Sequence, residues 1–208
     1  MIDDAAVSLA KAAAAIARGD TERQRTYFRA ARVFGVPPEW IEELLLQSVL
    51  NVGYPLTLVA WQVWREVAGP CQAAGEPLEH ARWGEWERRG ERTCAAVYGG
   101  SYERLRANLR ALHPAVEPLV VIDAYGKILG RSGPDLKVRE LCTLAAVVTL
   151  DAPRQLRAHL QGALNVGWTR EDVDAVLAAL EEQIDGDRAV RVWEVWAEIR
   201  SAERELGE

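Results

Sequence analysis

Lysine is scarce in this chain. Of its 25 basic residues only Lys11, Lys127 and Lys137 are lysines, so nearly all positive charge is guanidinium, which favours fixed ion pairs and planar recognition of carboxylates. Positive charge is also outnumbered. The net charge is −6 and no concentrated basic face is visible, which argues against a nucleic-acid or membrane-surface partner, since phosphate-rich surfaces require one. Histidine occurs three times, at His80, His113 and His159, too dispersed for a metal cage. Cys71, Cys94 and Cys142 are odd in number, widely spaced and without a CxxC pair, so neither a disulfide framework nor a thiolate metal site is indicated. The amino-terminal MIDDAAVSLAKAAAA lacks the basic start, leucine-rich core and cleavage site of a secretory signal, and no apolar run is expected to approach bilayer-spanning length. A cytoplasmic location is the expectation. Strand signals are nearly missing as well: VVIDAYGKI is the sole β-branched run, and its helical neighbours favour helix.

What is present is apolar mass and a repeat. Hydrophobic residues make up 49% of 208 residues, enough to bury the core of one large domain or two small ones. The stretch WQVWREV at 61–67 has a near twin, WEVWAEI, at 193–199. Laying one on the other fixes an offset of 132 residues, and residues 8–67 then match 140–199 without a gap. Gly35 meets Gly167, Glu39 meets Glu171, Arg25 meets Arg157, Leu45 meets Leu177, and both tryptophans coincide. Only 12 of 60 positions are identical, but a register kept through a helix stop, a helix start and a WxxW marks an internal duplication.

Each copy reads as four helices. In the first, an alanine-rich helix covers about 5–18, Asp20 caps one that stops at Gly35, Pro37 and Pro38 open another, and Pro55 opens the tryptophan helix. In the second, VRELCTLAAVVTL is apolar nearly all round and predicts a buried helix. Asp151 is expected to cap the next, with Pro153 in its first turn; Gly167 ends it, and Thr169 with Asp172 starts a third. The residues between the copies, punctuated by Gly and Pro, read as helices too. The expected fold is all-α: a diverged, structural first half-module (1–70), a helical connecting segment (71–135) and a second half-module carrying the candidate site (136–208), in one compact unit.

Residues three apart share a helix side, so Trp61/Trp64 and Trp193/Trp196 each form an aromatic stripe. With no interleaved basic residues, such stripes read as core or subunit interface rather than as base-stacking platforms. Trp83 and Trp86 read the same way.

The densest polar grouping lies in RELCTLAAVVTLDAPRQLRAHLQGALNVGWT, which puts Arg139 and Glu140 on one helix and Arg157 and His159 on the next. A tight connection around Asp151 returns the second helix antiparallel to the first, within reach of pairing Glu140 with His159. A carboxylate beside an imidazole orients it and tunes it for proton transfer. The competing reading is a packing histidine satisfied by a neighbouring carboxylate, with solvated or structurally paired arginines. His80, on a polar helix face, and His113, before Pro114 at a helix end, read as structural.

The run RELCTLAAVVTLDAPRQLRAHLQGALNVGWTREDVDAVL resembles the core of the carboxymuconolactone decarboxylase family, which includes the alkylhydroperoxidase D proteins; DAYGKILGRSGPDLK resembles its entry segment, and GVPPEWIEELLLQSVLNVGYPLTLVAWQVWREV its closing helices. The resemblance extends over 8–67 and about 95–199. It implies an alkylhydroperoxidase D-like helical fold assembled into rings, a homo-oligomer that is a trimer or hexamer, with sites near subunit contacts. Peroxide-reducing members carry a CxxC pair one turn before the family histidine, where this chain has Ala152 and Gln155; their chemistry needs a nucleophilic and a resolving thiol, and Cys142, on an apolar helix, reads as buried. The resemblance therefore implies a cofactor-free, metal-free enzyme of the decarboxylase type acting on a small anionic carboxylate or lactone. His159 would be the general acid/base, Glu140 its orienting partner, and Arg157 or Arg139 the carboxylate anchor. The first copy has Ser8 and Tyr27 at the positions of Glu140 and His159 and reads as structural, while the VGYP of 52–55 becomes IDGD at 184–187, so one site per chain is expected. A non-catalytic oligomeric scaffold or small-molecule binder, and an alkylhydroperoxidase-type antioxidant protein, are the alternatives.

Overall fold

A computed structural model describes residues 2–70 and 78–205, the side chains of His80 and of residues 202–205 excepted. Cys71 and the side chain of His80 thus lie outside the described residues. Among the described residues ten α-helices follow one another: α1 Asp4–Arg18, α2 Thr21–Val33, α3 Pro38–Ala68, α4 Trp83–Tyr98, α5 Tyr102–Leu112, the single turn α6 Val116–Pro118, α7 Leu136–Leu150, α8 Pro153–Asn165, α9 Arg170–Leu180 and α10 Gly186–Glu205. A π-helix, Leu119–Leu129, continues from α6. There is no strand among the described residues, as the missing β-branched runs predict.

The duplication is visible residue by residue. Asp3 and Asp135 cap α1 and α7, each accepting from the backbone N–H three residues on. Gly19 ends α1 in the left-handed region, and its counterpart Asp151 ends α7 with φ 56°. Gly35 and Gly167, both at positive φ, end the second helix of each copy. Trp64 Nε1 donates to Glu42 and Trp196 Nε1 to Asp174 at the same relative position. Arg25 pairs with Glu66 as Arg157 pairs with Glu198. The inner tryptophan of each pair is buried in the core and the outer one half-buried, with Phe28 packed edge-on against Trp64. At the centre α1 packs on α7, where the buried alanines 10 and 12–15 allow close approach. α1 also touches α9 while α7 touches α3, a reciprocal pattern expected of two copies related by a local two-fold.

Two expectations need correcting. Asp151 does not cap α8: Ala152 holds that position without a side-chain bond, and Asp151 instead closes α7 while its carboxylate pairs with Arg191 at 2.8 Å. In addition α3, at 31 residues, is long and apolar enough by length and composition to cross a bilayer. Its backbone breaks at Gly53, φ 66°, just before Pro55, and each arm is shorter than the ~20 residues a span requires. The break separates the two helices that the sequence predicts on either side of Pro55.

The connecting segment has no counterpart within either copy and packs mainly on the second, with the π-helix also touching α3. α4 packs along the π-helix and on α8. The close approach depends on two glycines: a Cβ on Gly90 would overlap the Val121 carbonyl, and one on Gly126 the Trp86 carbonyl. Trp86 is fully buried there, whereas Trp83 stays half open, with the Lys127 ammonium over both rings. Cys94, Val97, Tyr125 and Leu129 make a second apolar cluster, separate from the main core, directly beside α8.

Candidate active site

Glu140 enters the site because α7 has no polar face: its residues 138–149 are all buried, and Glu140 with them at 1% exposure. The left-handed turn at Asp151 reverses the chain within two residues, so α8 runs back along α7 and His159 arrives opposite Glu140. Their contact, Nδ1 to Oε1, is 2.7 Å. A carboxylate only accepts, so Nδ1 carries the hydrogen and Nε2 is the ring nitrogen left for chemistry. The His159 side chain keeps 12% exposure, and among the described residues no hydrogen bond engages Nε2.

A glycine makes room for the acid. A Cβ at Gly162, one turn along α8, would overlap Glu140 Oε1 and press on Val97. Asn165 Nδ2 donates to the Val97 carbonyl at 2.8 Å, tying the end of α8 to α4 and closing the apolar wall. Cys94, Tyr98 and Tyr125 complete the surroundings. Burial pushes the Cys94 thiol and the Tyr98 phenol up to about 12, and the Glu140 charge adds to both; Tyr125 is raised further by burial. These groups are therefore neutral near pH 7, leaving the imidazole as the group that titrates. Burial alone lowers its pKa, but the Glu140 charge and hydrogen bond outweigh burial and hold it above the ordinary 6.5.

The sequence-derived pair is thus brought together, and the two arginines are not brought to it. Arg139, 1% exposed, bonds Glu43 at 3.0 Å and the carbonyls of Arg131, Ser132 and Pro134. Glu43 also bonds the buried Arg131, so Arg139 belongs to a two-arginine, one-carboxylate cluster between α3 and α7. Arg157 lies on the outer face of α8, 52% exposed and paired with Glu198. The sequence reading passed over Glu43, Gly162, Val97 and the two tyrosines. Gly162 had a signal: a glycine inside an otherwise helical run costs about 1 kcal/mol against alanine and so calls for a packing reason. Among the described residues no group of three metal-ligating side chains occurs.

Residues 2–66 and 120–198, more than half of the chain, match the model of the carboxymuconolactone decarboxylase family. The chain belongs to that family. The match contains both copies, the π-helix, Glu140 and His159, and omits the segment from 67 to 119 that holds α4 and α5, a later start than the residue 95 expected from the sequence. Among curated proteins the chain is similar to Peroxisomal protein 2 of Schizosaccharomyces pombe, 29% identical over 139 residues, which are 64% of this chain and 63% of that protein. It is also similar to Peroxisomal protein 2 of Saccharomyces cerevisiae, 33% identical over 89 residues, 42% of this chain and 31% of that one. The chain thus spans less than two thirds of the curated relatives it matches.

Proposed function

We propose that the Glu140/His159 pair is the proton-transfer centre of a cofactor-free, carboxymuconolactone decarboxylase-like lyase acting on a small anionic carboxylate or lactone. One observation carries the reading: a buried carboxylate fixes Nδ1 at 2.7 Å while Nε2 keeps no protein partner among the described residues. In such a reaction the bond between a carbon and its carboxylate breaks and CO₂ leaves with the electron pair remaining on carbon. A conjugated carbonyl spreads that charge, and His159 Nε2–H delivers the completing proton, with Glu140 stabilising the imidazolium. His159→Asn is expected to lower turnover of a lactone carboxylate about 10²- to 10⁴-fold with helical content unchanged; undiminished turnover refutes the role.

The same variant reads the pair's charge. A histidine whose folded pKa is raised gives stability that is complete below 6.5 and is lost as pH rises through the raised value. The thermal-unfolding advantage of wild type over His159→Asn therefore shrinks as pH climbs past that point, and an advantage that grew instead would contradict an imidazolium-carboxylate pair.

A non-catalytic oligomeric scaffold is the second reading, favoured by the exposed stripe Leu50, Tyr54, Leu58 and Val59 on α3. Such a stripe suits self-association into a trimer or hexamer, measurable by light scattering, and the scaffold reading prevails if His159→Asn changes assembly and nothing else. A thiol peroxidase is disfavoured, because burial pushes the Cys142 and Cys94 thiols up to about 12, so neither described cysteine is a thiolate nucleophile. The cytoplasm expected from the sequence and the peroxisome in the relatives' printed name are both carried as proposals for where the protein works; imaging of the tagged chain separates them.

A further inference from the structure

Along the outer face of α8, sharing Val97, Tyr98 and Asn165 with the walls around Glu140 and His159, lies a cavity of about 640 Å³, within the size range of small-molecule sites. Its walls come from the end of α4, the Gly99–Ser101 turn, α5, α8 and α10. The α4 and α5 walls fall in the segment that the family match omits. Neither member of the acid–imidazole pair lines it.

Its charges are unbalanced. Arg104, Arg154 and Arg157 face one carboxylate, Glu198, and Glu198 is already engaged by Arg157. Among the described residues Arg104 bonds only the Ser101 hydroxyl, at 2.9 Å, and Arg154 has no hydrogen bond or ion pair. The first copy shows what a purely structural version of this face requires. There Arg25, the counterpart of Arg157, is neutralised by Glu66 and also by Glu22 at 2.7 Å. Glu22 is the counterpart of Arg154, so the second copy has reversed the charge at that position. Like charges three apart on a helix are destabilising, and the brace does not need the extra one. Leu105, Ala158 and Ile199 add apolar lining to the same cavity.

We infer that this cavity binds a small organic carboxylate with an apolar body, held by Arg154 and Arg104 and seated on Leu105 and Ile199. Planar guanidinium groups match carboxylates in shape and charge, and the site stands independently of the proton-transfer reading.

Phenylacetate and its neutral isostere phenylacetamide test it by isothermal titration calorimetry on the intact chain. Saturable binding of phenylacetate at one per chain is expected, with phenylacetamide failing to bind. Arg154→Gln, at a side chain without partners among the described residues, should fold normally and weaken phenylacetate roughly tenfold or more, the loss expected of a charged hydrogen bond; His159→Asn should leave it unchanged. Absence of saturable binding at millimolar phenylacetate, equal binding of the amide, an unaffected Arg154→Gln, or a loss in His159→Asn matching that in Arg154→Gln would each overturn the assignment.

Discussion

The two copies share a frame and differ over what they do with one position on their second helix. In the first copy Tyr27 donates to Glu182 at 2.8 Å and accepts from Gln183 at 2.6 Å, while Lys11 pairs with the same Glu182 at 2.8 Å. That position has become a fastening to the other copy. In the second copy His159 turns to Glu140 instead, and the inserted α4 covers the pair. Duplication thus serves as an internal control. What recurs in both copies, such as the aspartate caps, the tryptophan-to-acid bonds and the arginine-glutamate braces, is scaffold. What occurs once is where function is to be sought.

The largest stability effect should come from a contact that has no counterpart at all. Glu43 is matched by Ala175 and Arg139 by Val7, so the cluster of Glu43, Arg131 and Arg139 exists on one side of the local two-fold. Glu43→Gln leaves two buried guanidinium groups with no opposing carboxylate in the cluster, and removing one partner of a buried pair costs about 3–5 kcal/mol. Chemical denaturation should show a loss of that order. A loss below about 1 kcal/mol, the range of surface pairs, would mean water screens the cluster and that the asymmetry carries little energy.

A middle-sized effect should separate insert from frame. Gly126→Ala forces α4 away from the π-helix, and overpacking of this kind costs about 1–3 kcal/mol. Trp86 lies at that crossing, so the loss should appear first as a change in its environment, read by fluorescence, before the helical signal falls. Simultaneous loss of both would make the insert and the two copies one cooperative unit.

Much of this was legible beforehand, for a definite reason. The offset read from two WxxW helices carries the start of α1 onto α7, of α2 onto α8 and of α3 onto α9, because caps and stops are local chemistry written in a few residues. Asp20, Gly35, Gly167 and the Thr169/Asp172 capping box behave as their types predict. Glu140 and His159 were also readable, since a tight turn between two helices fixes which faces meet. The arginines were not, because where a long side chain points depends on distant partners: Glu43 is 96 residues from Arg139 and Glu198 is 41 from Arg157. Asp151 misled for a related reason. A residue type suited to a cap is also tolerated at positive φ, and the turn needed the latter.

The smallest effect is the one that decides the remaining sequence-derived role. Arg25 and Arg157 occupy equivalent positions and each bridges to the last helix of its copy, Arg25 with a side chain 27% exposed and Arg157 with one 52% exposed. Exposed pairs of this kind contribute about 0–1 kcal/mol. If Arg157 is a brace and nothing more at the proton-transfer centre, Arg25→Ala and Arg157→Ala should cost similar small amounts, and both should leave turnover at wild-type levels. Should Arg157→Ala raise KM for a carboxylate substrate while Arg25→Ala does not, the equivalence of the two braces fails. The substrate would then reach across the outer face of α8, and the cavity and the acid–imidazole pair would have to be regarded as one site.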